Sequence, residues 1–325
     1  MDRRRLLKGA AAAAFGVAVH HPAQAQSFPS RNIRVVVPAP AGAPPDILAR
    51  LVGNAVAEAE GWTVVIENKP GGAMTIGATD VLRQPADGYT LMSVTAPIAA
   101  SQSLVPSAQL KVETDFVPVI KTGTTYNVLV VNPSTPVQSV AEFIAYLKKS
   151  PDKHTFSSGG YGTPAHLLGE LFKLETGVQT MHVPYKANAQ TIPDLISGIN
   201  TYQFITAVAV VDLIKSGKLK ALVAMAHRRV PALPDVPTIV EAGYPKLASE
   251  DWAGILVRSG TPAPVVARLN EAFNKALKTD KVRTALARVG TDPGGGTPEE
   301  FGALVRAEVT HWGKVIKDAN IKINP

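Results

Sequence analysis

The chain has 325 residues, of which 46% are hydrophobic and 18% charged, and it contains no cysteine. This composition predicts a globular protein with a sizeable core, and it excludes disulfides, thiolate metal sites and a cysteine nucleophile. The formal charge is +7, but residues 1–25 carry four basic side chains and one acidic one, so their removal lowers it to +4. The remaining basic residues are scattered rather than clustered in a stripe, so we expect no nucleic-acid partner.

Residues 1–25 are predicted to be an export signal. A basic start at 3–8 precedes an apolar run at 9–19 and a small-x-small cleavage site at 23–25. The apolar run is shorter than the roughly 20 residues that span a bilayer. Paired arginines followed by Leu-Leu-Lys favour a twin-arginine signal, and a Sec signal is the alternative. Either route predicts an exported chain that is cleaved after Ala25.

Strands and helices alternate in the first part of the mature chain. The β-branched run 33–37 predicts a buried strand, and a Pro/Gly/Ala loop at 38–45 follows it. Asp46 is a favoured N-cap and begins an amphipathic helix over 47–60. Strands over 63–67 and 89–94 enclose a Gly-containing turn at 69–72 and a helix over 74–84. This order is typical of βαβ units in a parallel sheet.

The rest of the chain continues the same rhythm. We expect strands at 128–131, 155–157, 180–183, 204–211, 219–225 and 252–257, and helices at 137–149, 165–176, 189–197, 264–277, 281–289 and 298–320. A proline-rich irregular segment at 228–243 and a turn at 292–296 interrupt them.

The similar rhythm of 26–125 and 126–226 predicts an α/β protein of two lobes. Crossovers are expected near 122–128 and within 226–252. Lobe 1 would comprise 26–125 and 250–325, and lobe 2 would comprise 126–249.

The motifs of common catalytic sites are absent from the sequence. The five histidines of the mature chain lack the paired helical spacing of a zinc motif, and neither a G-x-S-x-G elbow nor a phosphate loop occurs. We therefore expect a protein that is not an enzyme and holds no metal or cofactor. Because catalytic triads are recognised by geometry, an enzyme on the same fold stays an alternative.

A small-residue loop leads into a helix three times, at 38–46, 70–74 and 157–165. A helix N-terminus presents unpaired N–H groups and a partial positive charge, so it binds anions without a charged side chain. In open α/β sheets such loops gather at the carboxyl ends of strands. The alternative for each loop is a plain structural turn.

Several side chains near these loops are candidates for ligand contact. Asp46 is better explained as a helix cap, whereas the hydroxyls of Ser158 and Thr163 favour ligand contact over capping. His166 is more typical of a packed or hydrogen-bonding histidine, and Trp252 suits a cleft wall and a core position equally. Tyr126 lies at the expected first crossover, where cleft walls and hinges meet.

Several motifs, in this order, resemble one known family. They include PAPAGAPPDILAR at 38–50, VIENKPGGAMTIGATDVLRQPADGYTL at 65–91, SSGGYGTPAHL at 157–167 and LPDVPTIVEAG at 233–243. The chain resembles the substrate-binding proteins of tripartite tricarboxylate transporters, the Bug receptors. The resemblance implies a type II periplasmic-binding-protein fold with two hinge strands. It also implies a periplasmic monomer that holds a small carboxylate in its cleft and delivers it to membrane transporter subunits.

The resemblance also implies that the loops at 39–46 and 157–163 hold the carboxylate, partly through water, and that the residues after the 89–94 strand line the cleft. The predicted ligand-binding residues are Ala39, Ala41, Gly42, Ala43, Asp46, Thr95, Ala96, Tyr126, Ser158, Gly159, Thr163, His166, Ala207 and Trp252.

Three positions depart from the family pattern. Gly42-Ala43 stands where the family usually has Gly-Gly, Tyr126 where many members have Pro, and Ile205 where an acid is common. The absence of an acidic side chain at position 205 favours an apolar or aromatic acid over an amino acid as the ligand. A module that presents its ligand to a membrane kinase is the alternative to a transport receptor.

Overall fold

The computed structural model describes residues 28–151, 153–186 and 188–322. The predicted export signal and its cleavage site at Ala25 lie outside these residues. Within them, no helix combines the length and the hydropathy that a membrane crossing requires.

Eleven strands and eleven α-helices are assigned in the described residues. The strands are β1 (Ile33–Val37), β2 (Val64–Asn68), β3 (Thr90–Thr95), β4 (Phe116–Thr125), β5 (Asn127–Val131), β6 (Thr155–Ser158), β7 (Met181–Pro184), β8 (Tyr202–Thr206), β9 (Lys220–Ala224), β10 (Asp251–Arg258) and β11 (Thr291–Gly295). The helices are α1 (Pro44–Glu60), α2 (Thr75–Leu82), α3 (Ile98–Leu104), α4 (Val112–Asp115), α5 (Val140–Lys148), α6 (Pro164–Thr176), α7 (Asn188–Ile196), α8 (Ala207–Lys215), α9 (Ala263–Leu277), α10 (Asp280–Arg288) and α11 (Pro298–Asp318).

Two sheets define two lobes. The first sheet has the order β11-β4-β10-β3-β1-β2, in which β1 is parallel to β2 and β3, while β10 runs antiparallel to β3 and β4. The second has the order β7-β6-β8-β5-β9, with β6, β7 and β8 parallel and β5 antiparallel to β8 and β9. The two-lobed α/β fold with two crossovers is therefore confirmed. The predicted residue limits of the two lobes, 26–125 with 250–325 and 126–249, stay a prediction.

The chain passes between the lobes at two adjacent places. Tyr126 alone separates β4 of the first sheet from β5 of the second. The return path runs from the end of β9 to Asp251, the first residue of β10. The two paths touch, because the Met225 amide donates to the Asn127 carbonyl at 2.9 Å.

The lobes also share a hydrophobic core. One buried cluster contains Leu104 of α3, Leu167 of α6 and Trp312 of α11, which come from both sides of the crossover. Helix α11 packs on both α3 and α6. Helix α11 therefore joins the two lobes through a common buried cluster.

The prediction of a strand over 204–211 is wrong beyond Thr206. Strand β8 ends there and α8 begins at Ala207. A continuous run of Ala, Val and Ile has neither the period of a helix nor that of a strand, so hydrophobicity alone does not separate the two. The predicted turn at 292–296 lies mostly in β11, which pairs with β4 at the edge of the first sheet.

Candidate functional site

The candidate site begins at the carboxyl ends of the parallel strands of lobe 1. The loops after β1 and β2 lie side by side there, because the Lys69 amide donates to the Val37 carbonyl at 2.8 Å. The Asn68 side-chain amide also donates to the Ala39 carbonyl at 3.0 Å. Thr95, the last residue of β3, and Ala96 after it are buried at the same edge of the sheet, because β3 is parallel to β1.

The loop after β1 is anchored by Asp46. This carboxylate is 2% exposed and accepts hydrogen bonds from the Gly42 amide at 2.9 Å, from the Asn68 side chain at 2.9 Å and from Arg50 at 3.0 Å. Burial alone would raise the pKa of Asp46, but these donors outweigh it and hold the pKa below its ordinary value. Both oxygens of Asp46 are therefore occupied by donors from its own loop, from α1 and from the end of β2.

The start of α1 offers fewer free amides than the sequence predicts. Pro44 and Pro45 occupy the first two helical positions and have no N–H. The amides of Asp46 and Ile47 both donate to the Ala43 carbonyl, at 2.9 and 3.0 Å. The Gly42 amide donates to Asp46 and the Ala43 amide to the Pro40 carbonyl at 3.2 Å, so these two predicted contacts use their N–H groups within the loop. Their neighbours Ala39 and Ala41 stay predicted contacts.

The loop of lobe 2, after β6, is held together by its own hydroxyls. The Ser158 hydroxyl lies 2.6 Å from His182 Nε2 and donates to the Gly160 carbonyl at 3.0 Å. The Thr163 hydroxyl donates to the same carbonyl at 2.7 Å. Ser158 is fully buried, so its hydroxyl supports the loop in this structure. Gly159 is half-buried beside it.

His166 and His182 stack beneath this loop with ring centroids 4.3 Å apart. His166 Nδ1 accepts from the Gly162 amide at 3.1 Å, which leaves the ring proton on Nε2. Burial lowers the pKa of His166 to about 4, and burial together with His166 and Lys173 lowers that of His182 to about 3. Both rings are neutral at pH 7, so neither supplies a cation.

The start of α6 keeps its amides free. Pro164 has no N–H, and Leu167 is the first residue to donate back, to the Thr163 carbonyl at 3.0 Å. The amides of Ala165 and His166 between them donate to no backbone acceptor in the described chain. No side chain caps this end of the helix. Two N–H groups at a thirteen-residue helix start are thus available to an anion.

The start of α8 lies at the same sheet edge, because β8 is parallel to β6. The Ala207 amide donates to the Tyr126 carbonyl at 2.8 Å and is therefore used. The next two amides, of Val208 and Ala209, donate to no backbone acceptor among the described residues. The strand predicted over 204–211 extends through these donors, so the sequence did not indicate them. Thr206, a residue favoured at helix N-caps, is the only local signal for a helix start.

Contacts between the lobes flank the site on two sides. A Cβ added to Gly162 would lie 3.1 Å from Ala73 Cβ and 3.3 Å from Leu104 Cδ1 of lobe 1. A Cβ added to Gly290 would lie 2.5 Å from Val208 Cβ. The α6 loop and the start of α8 therefore contact lobe 1 in this structure.

Two of the predicted contacts make hydrogen bonds or packing contacts of their own. The Tyr126 hydroxyl donates to Asp292 at 2.5 Å, accepts from Arg228, and is 2% exposed. Trp252 is also 2% exposed, and its ring packs edge-on against Phe301 at 5.2 Å. In this structure Tyr126 links the crossover to β11, and Trp252 occupies a core position.

A cavity of about 20 Å³ lies between the lobes near the crossover. Lobe 1 contributes Ala96 and Asp251 to it, and α6 contributes Pro164 and Leu167. Burial raises the pKa of Asp251 to about 7, against the hydrogen bonds from the amides of Ala96 and Trp252. The volume of the cavity is about that needed for a single water molecule.

The fold is that of a two-lobed α/β binding protein, and these loops form its candidate interlobe site. The chain belongs to the family described as tripartite tricarboxylate transporter family receptor, TctC, whose model matches residues 37–321. The protein BugT of Bordetella pertussis is 34% identical over 327 residues, which cover 99% of this chain and 100% of BugT.

Solved structures show the same similarity. An R. palustris protein determined with adipate is 36% identical with a TM-score of 0.80, over 91% of this chain and 99% of that one. MatC from Rhodopseudomonas palustris with bound malate is 31% identical with a TM-score of 0.78, over 89% of this chain and 100% of MatC. The suspected membership of the Bug receptors is confirmed, and the chain is a solute-binding receptor by family.

Proposed function

We propose that this protein is a periplasmic receptor that encloses a small organic or aromatic acid between its lobes and passes it to the membrane subunits of a tripartite transporter. The observation that carries the proposal is the pair of helix starts in lobe 2 with free amides, Ala165 and His166 on α6, and Val208 and Ala209 on α8. These groups are suited to a carboxylate, because they donate hydrogen bonds and carry the positive end of the helix dipole.

The magnitudes are sufficient for a receptor. A hydrogen bond to a charged group contributes about 1.5–3 kcal/mol. The summed free energy of three or four such hydrogen bonds exceeds the entropic cost of association. The surplus is enough for a Kd of about 1 μM, which corresponds to a binding free energy of about −8 kcal/mol. No cationic side chain is needed for this affinity.

The ligand class follows from the surroundings and the relatives. Ile205 of β8 stands where the resemblance implies an acid that would receive an amino group, and it is buried in a hydrophobic cluster of lobe 2. The relatives determined with adipate and malate indicate that acids are bound in this family. We therefore favour an organic or aromatic acid over an amino acid, held by a monomer whose lobes, 26–125 with 250–325 and 126–249, close by hinge motion.

The proposal is tested with protein purified from the periplasm. Native mass spectrometry reports any co-purified acid, and thermal shift with a panel of acids reports stabilisation. Each acid is paired with its carboxamide, such as benzoate with benzamide, which removes the charge and keeps the shape. We expect acids to stabilise the protein, by about 2.7 kcal/mol at a hundredfold excess over Kd, and to be recovered chemically unchanged. Equal stabilisation by the amides, or none by any acid, contradicts the proposal.

A further inference from the structure

The interlobe cavity and the free amides of α6 belong to the same helical turn. Pro164, at the first position of α6, lines the cavity, and so do Leu167 and Leu168 one turn later. The amides of Ala165 and His166 lie between these positions. A ligand whose carboxylate meets the α6 amides therefore has this cavity beside it.

Asp251 faces the cavity from lobe 1. It is the first residue of β10, and its Oδ1 accepts from the Ala96 amide at 3.2 Å. The other hydrogen-bonding side chains that line the cavity are Asn127, Ser249 and Trp312, whose indole N–H donates to Glu308. The described lining contains no Lys, Arg or His. The carboxyl group of Asp251 thus has no cation to neutralise it at this place.

The cavity is too small for a second carboxylate. Its volume of about 20 Å³ holds one water-sized group, such as a hydroxyl or an ammonium nitrogen. A carboxylate has three heavy atoms and, above the Asp251 pKa of about 7, would place negative oxygens against an ionised carboxylate. Like charges at short distance disfavour binding, whereas a donor of water size pairs with the carboxyl group.

We propose that Asp251 is a specificity-determining ligand contact that accepts a hydrogen bond from a hydroxyl or ammonium group at the end of the acid remote from its carboxylate. This inference rests on the proposed function. It names the ligand class more closely, as a monocarboxylic acid with a hydrogen-bond donor at its far end.

Calorimetry with matched ligand pairs at pH 8 tests the inference. The pairs are 4-hydroxybutanoate with succinate and 6-hydroxyhexanoate with adipate, and 6-aminohexanoate separates an ammonium from a hydroxyl. We expect the wild type to bind the donor-bearing member of a pair about tenfold more tightly than the dicarboxylate. The variant Asp251→Asn removes the charge and adds an amide donor, so it should cancel or reverse that ratio.

Glu308→Gln is the matched control. This carboxyl group of α11 accepts from Trp312 at 3.0 Å, interacts electrostatically with Asp251 and does not line the cavity. We expect the control to keep the wild-type ratio, and a change equal to that of Asp251→Asn would overturn the contact.

Other outcomes are also decisive. A wild type that binds dicarboxylates at least as tightly as their hydroxy partners overturns the inference while leaving the proposed function in place, and this comparison needs no variant. An unchanged ratio in a folded Asp251→Asn protein overturns it as well. Failure of every acid to bind the wild type contradicts the proposed function itself.

Discussion

The starts of α1 and α6 look alike in sequence but differ in what they offer a ligand. Both follow a glycine-containing loop at the carboxyl end of a strand, and both have Pro at the first helical position. At α1 a second proline has no N–H, and the next two amides both donate to the Ala43 carbonyl. At α6 two consecutive amides stay free.

The difference shows that a small-residue loop before a helix is not itself an anion site. Whether a helix start can bind an anion depends on the number of backbone N–H groups that are neither missing because of proline nor used in hydrogen bonds within the loop. The α1 loop uses a buried carboxylate, Asp46, as its anchor, whereas the α6 loop uses the neutral ring of His166. We infer that lobe 1 supplies shape and lobe 2 supplies most of the charge recognition.

The largest expected effect is on affinity when the α6 amides are reduced. Ala165→Pro removes one N–H at the second helical position, where proline is tolerated, as the Pro44-Pro45 start of α1 shows. We expect carboxylate affinity to fall about 10- to 100-fold, because one charge-assisted hydrogen bond is lost. Isothermal titration calorimetry measures the change.

Glu299→Pro controls for the introduction of proline. It also creates a Pro-Pro start, after Pro298 at the first position of α11, away from the candidate loops. Its affinity should match the wild type. A loss of affinity in both variants, or in neither, would remove the distinction between the helix starts.

Asp46→Asn tests whether the α1 loop is structural. The amide group cannot accept from all the donors that surround the carboxylate, so we expect stability to fall by about 1–3 kcal/mol. Affinity should change less than in Ala165→Pro once the protein is folded. Because the pKa of Asp46 is lowered in the folded state, its contribution is present above about pH 4 and is lost as the pH falls further.

Urea denaturation at pH 7 measures the stability of Asp46→Asn. Asp318→Asn is its control, since Asp318 pairs with Lys314 in an exposed position, where such a pair contributes little. Equal losses in the two variants would argue against the anchoring role of Asp46.

Gly162→Ala tests the packing contact between the α6 loop of lobe 2 and lobe 1. The new methyl group would contact Ala73 and Leu104 at a backbone φ of +75°. Gly177→Ala is matched to it, with a φ of +69° and no atom within 4 Å of the new methyl group. Both should lose about 1 kcal/mol of stability from backbone strain. Only Gly162→Ala should also weaken ligand binding, by about tenfold, because closure is hindered; equal affinities would contradict this.

The last expected effect is the response of the α6 loop to acid. Burial lowers the pKa of His166 to about 4 and of His182 to about 3, while the unfolded chain binds protons near pH 6.5. The stability contributed by neutral histidines is present above pH 6.5 and is lost as the pH falls towards 4. His182→Asn should flatten the fall of Tm between pH 6.5 and 4.5, whereas His227→Asn, at an exposed position, should not.

The sequence predicted the two lobes and their crossovers because strand–helix alternation and the family motifs extend along the chain. The strand over 33–37 and the helix over 165–176 were recovered nearly to the residue. The start of α8 was missed, because the run Phe204–Val211 has no period that separates strand from helix. The free amides were beyond sequence analysis, since a backbone N–H has no side-chain signal and its pairing depends on the folded chain.

The most direct test of the difference between the two helix starts is a crystal structure of the protein with its acid bound. We predict that the ligand carboxylate lies at the start of α6, with an oxygen about 2.7–3.1 Å from the amide nitrogens of Ala165 or His166. A carboxylate held instead by the amides of the Ala39–Ala43 loop, with the α6 amides unbound, would contradict the account.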